Sequence, residues 1–328
     1  MKRRPVILVV VALLLAACGG AASTPAEVPS TVATKDRLTE SSVAAAVPSP
    51  TPIVLTDGTG REVSLERRAE RIVSLAPSNT EILFAIGAGD LLVGRDDFSD
   101  YPPEVEEVTS IGSTYGGLNT EAIIALEPDL VLAAGITPPE HIQSMDQLGV
   151  RVFALGNPMD FEGLFKNLTA VGTLTGHRPE ALALVEDLRS RVEAVAEALE
   201  GVERVPIFYE VDASDPSAPW TTGSGTFQQH IFELAAGENI AADLEGWLQL
   251  SLEEIVVRDP DVIIFGAGPF VPTTVESLKL RPGWGGITAV REDRVYAVDT
   301  DLLDLPGPRL VEGLEAVAWI LHPDRFDG

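Results

Sequence analysis

Glu127-Pro128-Asp129-Leu130-Val131-Leu132 and Asp259-Pro260-Asp261-Val262-Ile263-Ile264 are two versions of one string. Each follows a short helical pattern that a proline halts, because the residue before proline is biased out of the right-handed helical region. Each then opens a run of aliphatic residues that suits a strand buried within a parallel sheet. One such unit in each half predicts two similar α/β lobes.

Working outward from the first string, short strands are expected at Arg71–Leu75, Leu91–Gly94 and Val150–Leu155. Ser78 or Asn79 is expected to cap a helix through Ile86, which Gly87 and Gly89 end. A further short helix covers Thr120 to Leu126. Ahead of these, two β-rich runs between Ile53 and Leu65 flank Asp57-Gly58 and read as a hairpin. Around the second string the expected strands are Val205–Val211, Asp261–Phe265 and Arg294–Val298, with helices after Gly225 and from Pro308 to Leu321. Strands separated by helices imply βα units and a largely parallel sheet.

Between the halves, Leu184, Leu188, Val192, Val195 and Leu199 recur at steps of four and three. That is the apolar stripe of a long amphipathic helix from Pro179 to Leu199. The expected fold class is therefore α/β: two Rossmann-like lobes joined by one long rigid helix, with a ligand cleft between them. The expected segments are a signal peptide at 1–18, a flexible tether at 19–52, an N-terminal lobe with its leading hairpin at 53–158, a bridging helical segment at 159–202 and a C-terminal lobe at 203–328.

The leader carries its own signal. Lys2, Arg3 and Arg4 precede an apolar run from Val6 to Leu15, too short to cross a bilayer as a stable helix. Leu15-Ala16-Ala17-Cys18 follows, holding the chain's single cysteine, and resembles a bacterial lipobox. The resemblance implies that Cys18 is acylated and that the protein is exported and lipid-anchored to the cell membrane. Residues 19–52 are rich in Ala, Ser, Thr, Pro and Val, a composition that buries too little to offset chain entropy.

Composition narrows the function. The net charge of −27 becomes three units more negative once the leader's three basic residues leave. So acidic a chain disfavours nucleic acid, whose phosphates need clustered Lys and Arg. The four histidines are scattered, without the convergence a metal cage requires. Ser224 lies in Gly223-Ser224-Gly225 without a nucleophile-elbow motif around it, and there is no P-loop. An exported hydrolase would need a nucleophile, base and orienting acid that the sequence does not offer. No enzyme activity is expected.

Several strings together resemble the iron-chelate and cobalamin substrate-binding proteins of ABC importers. They are Arg71 to Glu81 (RIVSLAPSNTE), Asp100-Tyr101-Pro102-Pro103, Leu118-Asn119-Thr120-Glu121, the first repeat string, Gly237-Glu238-Asn239 and Trp247 to Glu253 (WLQLSLE). Cobalamin binders are most similar, through Asp100 to Pro103 and the Trp-x-Gln-x-Ser-x-Glu string. The resemblance implies two lobes on a rigid helix and a largely preformed cleft. It places Phe98, Tyr115 and Trp247 as cleft aromatics and Asp301 at the ligand's polar edge, while ordinary core packing is the competing reading for each aromatic. Ala134 and Leu305 depart from the family pattern, standing where a further aromatic and an arginine can occur. The resemblance also implies that Glu121 and Glu253, one per lobe, dock on permease arginines; helix-start carboxylates interacting with the macrodipole are the competing reading. Arg309 has two open roles, one at the cleft and one in a lobe-stabilising ion pair. The expected cargo is cobalamin or a related corrinoid, with a ferric siderophore or haem as the alternative. The expected partners are an ABC permease and its ATPase. The protein is expected to act as a monomer without cofactor or metal, and a surface sensor is the remaining reading.

Overall fold

The computed structural model describes residues 51–268, 271 and 273–326. Cys18, the leader and the tether up to residue 50 lie outside them.

The N-terminal lobe begins with the expected hairpin, β1 (Ile53–Thr56) antiparallel to β2 (Glu62–Leu65). Its loop is not a two-residue Asp-Gly turn. The Asp57 carboxylate organises five residues, accepting from the Thr59 amide at 2.9 Å and the Arg61 amide at 3.0 Å, and Gly60 takes the positive φ. Gly58 is needed for close approach: a Cβ there would lie 2.3 Å from the Gly156 Cα. Next come β3 (Ile72–Ser74), α1 (Pro77–Ala85), β4 (Leu92–Gly94), α2 (Thr120–Ala125), β5 (Leu130–Ala133), α3 (Pro139–Gln147) and β6 (Val152–Ala154). The sheet is parallel in the order β4-β3-β5-β6.

The capping expectation for α1 fails. Ala76 is the N-cap without a side-chain bond, and Pro77 starts the helix, where its missing N–H costs nothing. Asn79 is spent on tertiary structure, donating to the Leu132 carbonyl at 3.1 Å, and the Thr80 hydroxyl bonds Ser74 at 2.8 Å.

Two helices follow, α4 (Phe161–Thr175) and α5 (Arg178–Ala198). Both lie in the bridging segment: α4 packs on α1 and β1, while α5, the long helix expected there, packs on α4 and the closing helix of the other lobe. The α5 stripe holds, with Leu188, Val195 and Leu199 buried.

The C-terminal lobe comprises β7 (Val205–Glu210), β8 (Trp220–Thr222), α6 (Phe227–Leu234), β9 (Gly237–Asn239), β10 (Trp247–Gln249), α7 (Leu252–Arg258), β11 (Val262–Ala267), α8 (Val275–Lys279), α9 (Thr288–Arg291), β12 (Val295–Asp299), α10 (Thr300–Asp304) and α11 (Leu310–Leu321). Its main sheet is parallel in the order β12-β11-β7-β9. Numbered within each lobe, both sheets read 2-1-3-4, so the repeat extends to topology. The equivalence reaches the backbone: Glu127 and Asp259, at matching positions before their prolines, both take positive φ, 47° and 42°. The Asp129 amide bonds the Arg71 carbonyl as the Asp261 amide bonds that of Pro206, each at 2.9 Å.

The aliphatic runs divide their side chains by face. Ile72, Leu130, Leu132 and Phe153 join Ile207, Tyr209, Val262 and Ile264 in one core that runs through α4, α5 and α11 from lobe to lobe. The alternate residues close separate cores on the outer faces, Val73, Val131 and Val152 in one lobe and Phe208, Ile263 and Phe265 in the other. A shared interior of this kind resists hinge motion because close-packed side chains do not deform continuously.

Candidate functional site

Open α/β sheets bind ligands beyond the carboxyl ends of their strands, where the strand order reverses. In both lobes that point lies between the first and third strands, β3/β5 and β7/β11. A direct contact shows that the two carboxyl edges face each other. Arg309, the N-cap of α11, donates through Nε to Glu81 of α1 at 3.1 Å and through its terminal nitrogen to Asp301 of α10 at 3.2 Å. On the opposite side, Met159, just past β6, reaches within 3.7 Å of where a Cβ would stand on Gly225.

Four aromatics occupy these edges. Phe98 follows β4 and meets Tyr115 edge-on, ring centroids 5.1 Å apart, yet the two are 40% and 76% exposed. Core packing is therefore not their role. Trp247 opens β10, rests one edge on buried Phe227 at 6.3 Å and remains 44% exposed. Trp220, which the sequence reading passed over, is 40% exposed. It opens β8, where its amide donates to the carbonyl of Asp212, two residues past β7. In the β8–β10 ribbon Trp220 pairs with Gln249 and Thr222 with Trp247. Directly opposed residues, and residues two apart, share a face of a β-ribbon, so both indoles stand on one face as diagonal neighbours. The other face carries Leu248 into the core and Thr221, whose hydroxyl bonds the Tyr209 carbonyl at 2.6 Å.

The polar floor is acidic. Asp301 is fixed from below, its amide donating to the Asp299 side chain at 3.0 Å. Loss of hydration holds the Asp301 and Glu81 carboxyls above their ordinary range, with Arg309 pulling in the other direction. Asp304, one turn on, accepts from the Tyr209 hydroxyl at 2.9 Å and from Gln228 at 3.1 Å, and burial pushes it up to about 6. Of the two roles open for Arg309, the ion pair is present, and it joins the lobes. Leu305 is partly exposed beside this cluster and brings no charge.

Glu121 and Glu253 do not join the cleft. Each is the second residue of its helix, behind N-caps Asn119 and Ser251 that accept from the Ala122 and Glu254 amides. Both are exposed, on the matching helices α2 and α7 that precede the third strand of each lobe.

The Ser224 hydroxyl bonds the Leu244 carbonyl at 2.8 Å, and His230 packs near Phe161 at 5.8 Å. Among the described residues no group of three His, Cys, Asp or Glu is placed to hold a metal, and no helix is long and apolar enough to cross a membrane. A recess of about 510 Å³ beside Trp319 and Arg191, and another of about 460 Å³ beside Arg68 and His177, contain none of the four aromatics.

Comparison with known proteins accords with this geometry. Residues 72–302 match the periplasmic binding protein family. An uncharacterized ABC transporter substrate-binding lipoprotein of Bacillus subtilis, YvrC, is 34% identical over 84% of this chain and 87% of its own length. The crystal structure of the periplasmic vitamin B12 binding protein BtuF of Vibrio cholerae superimposes with a TM-score of 0.67 at 28% identity, covering 79% of this chain and all but 1% of the other, matched at 99%. The periplasmic heme-binding protein RhuT from Roseiflexus gives a TM-score of 0.71 at 26% identity, covering 78% of this chain and 99% of its own. With two topologically matched lobes, a shared core and facing carboxyl edges, this chain belongs to the periplasmic binding protein family, the substrate-binding proteins of ABC transporters.

Proposed function

We propose that this protein captures cobalamin or a related corrinoid outside the cytoplasm and delivers it to an ABC permease. The observation that carries the reading is the pair of exposed aromatic pairs, Phe98 with Tyr115 and Trp220 with Trp247, on the facing edges of two lobes. A corrin ring has broad apolar faces and a polar rim. Flat side chains match such faces at little rotamer cost, and Asp301 stands where it can meet an amide at the rim. The matched carboxylates Glu121 and Glu253 suit a basic, two-fold-related partner surface, setting orientation more than affinity. Acylated Cys18 would keep the binding protein near that partner.

Titration of residues 19–328 against cobalamin, cobinamide, haem and ferric siderophores tests the proposal. Tightest binding of a corrinoid supports it, and preference for a siderophore overturns it. Haem is the second reading, favoured by the exposure of Tyr115, whose phenolate is a known type of haem ligand. If haem binds tightest and Tyr115→Phe shifts its absorption spectrum, the haem reading replaces the corrinoid one.

A further inference from the structure

We propose that Arg309 is a positioning residue: it keys the two lobes together at the polar floor of the cleft and holds Asp301 in register with the ligand. The geometry is specific. The guanidinium grips Glu81 of α1 on the N-terminal side, with Nε at 3.1 Å and a terminal nitrogen on the same oxygen. It also stacks over the Tyr101 ring, 4.0 Å from its centroid. On the C-terminal side it bonds Asp301 at 3.2 Å. One planar fork thus spans the seam between lobes, a task a lysine's point charge performs poorly.

The seam is shaped as well as charged. Glu81 is only 4% exposed, and its second oxygen, Oε2, has no hydrogen-bond partner. Gly307 closes on that oxygen so tightly that a Cβ would stand 2.8 Å away. Removing Arg309 would leave a buried carboxylate unpaired, which costs more than the pair contributes when intact. The shared core around α4 and α5 holds the lobes at the back. Arg309 adds a tie at the cleft floor, across which the aromatic pairs must keep their spacing. The carboxylates Asp100 and Asp299 add negative charge around Glu81 and Asp301, which Arg309 offsets.

The inference rests on the proposed cargo site for its binding arm only; the lobe spacing can be read without cargo. Full-length protein with Cys18→Ser, spin-labelled at Gln143→Cys on α3 and Glu276→Cys on α8, reports the interlobe distance. Arg309→Met and Glu81→Gln should each lengthen and broaden the cargo-free distribution and weaken cobalamin binding about tenfold or more. Gly307→Ala should lengthen it too, by crowding the seam. Asp301→Asn should leave the distance unchanged while weakening cobalamin binding. Arg309→Lys should restore only part of the wild-type distribution. If Arg309→Met does not fold, the near-isosteric Glu81→Gln carries the test. Wild-type distance distributions in both Glu81→Gln and Gly307→Ala would overturn the proposal, since the back core alone would then set the spacing. Altered distances in a protein that binds no corrinoid uphold the keying and overturn the cargo reading instead.

Discussion

Replacing Trp247 and Trp220 by alanine, singly and together, probes the cleft with the least ambiguity. A free indole side chain carries roughly 250 Å² of surface. At 44% and 40% exposure, each leaves about 100 Å² for a ligand to cover, worth about 2.5 kcal/mol at 25 cal/mol per Å² if covered completely. A flat ligand covers one face and a rim, so about 1–2 kcal/mol per residue is the expected loss, a factor of about ten in affinity. Trp247 should cost more than Trp220, because its edge is steadied by Phe227. The double variant should fall short of the sum, because diagonal neighbours share one ligand face. Isothermal titration with cobalamin measures the losses, and circular dichroism checks the fold. If both single variants and the double variant bind like wild type while folded, the ribbon face is not a ligand platform.

Four further outcomes are expected. Asp304 is raised from 3.8 in the unfolded chain to about 6 in the fold, so its ionisation destabilises the protein above that range and the penalty fades as pH falls through 6 toward 3.8. Asp304→Asn, whose amide oxygen can keep both accepted bonds, should therefore raise stability on the order of 2 kcal/mol at pH 7.5 and by almost nothing at pH 4, and a pH-independent difference in denaturant midpoint would refute this. Glu121→Lys with Glu253→Lys should leave cargo affinity intact but abolish transport in reconstituted vesicles, each single variant being milder; lost cargo binding would put these residues in the ligand site. Gly58→Ala should destabilise by about 1–3 kcal/mol in urea melts, because its Cβ would strike the Gly156 backbone, and a wild-type midpoint would show that the hairpin loop yields freely. Cys18→Ala should release the protein from membranes in a strain lacking the permease, and unchanged partitioning would argue against acylation at that residue.

What could be read from the chain, and what could not, divides by range of interaction. The repeat strings were readable because a buried parallel strand needs an unbroken aliphatic run, and proline marks the helix that ends before it. The α5 stripe was readable because its period lies within one element. Asn79 is not a cap: its amide is taken by the Leu132 carbonyl of β5, a tertiary demand that outweighs a local preference. The helix α3 buries only Ile142 and Met145 along a mostly polar stretch, too few apolar positions to stand out in the sequence.

Site residues follow the same division. Phe98, Tyr115, Trp247 and Asp301 came from family resemblance; in the structure the three aromatics are exposed and Asp301 is bonded to Arg309. Trp220 was missed because its orientation depends on pairing with Gln249, far along the chain; the short strand-like run Trp220-Thr221-Thr222 before Gly223 was the available hint. The Arg309–Glu81 pair joins residues 228 apart, a separation no local pattern encodes. The long helix expected at Pro179–Leu199 is present as α5, and the bridging segment also holds α4, which packs along it.

The most direct test of the central claim is a crystal structure of residues 19–328 with cobalamin. The corrin ring should lie between the Phe98–Tyr115 pair and the Trp220–Trp247 face, with a polar ring substituent at Asp301 and with Arg309 still bonded to Glu81. A corrinoid seated elsewhere, or a cleft left empty at saturating cobalamin, would contradict the account.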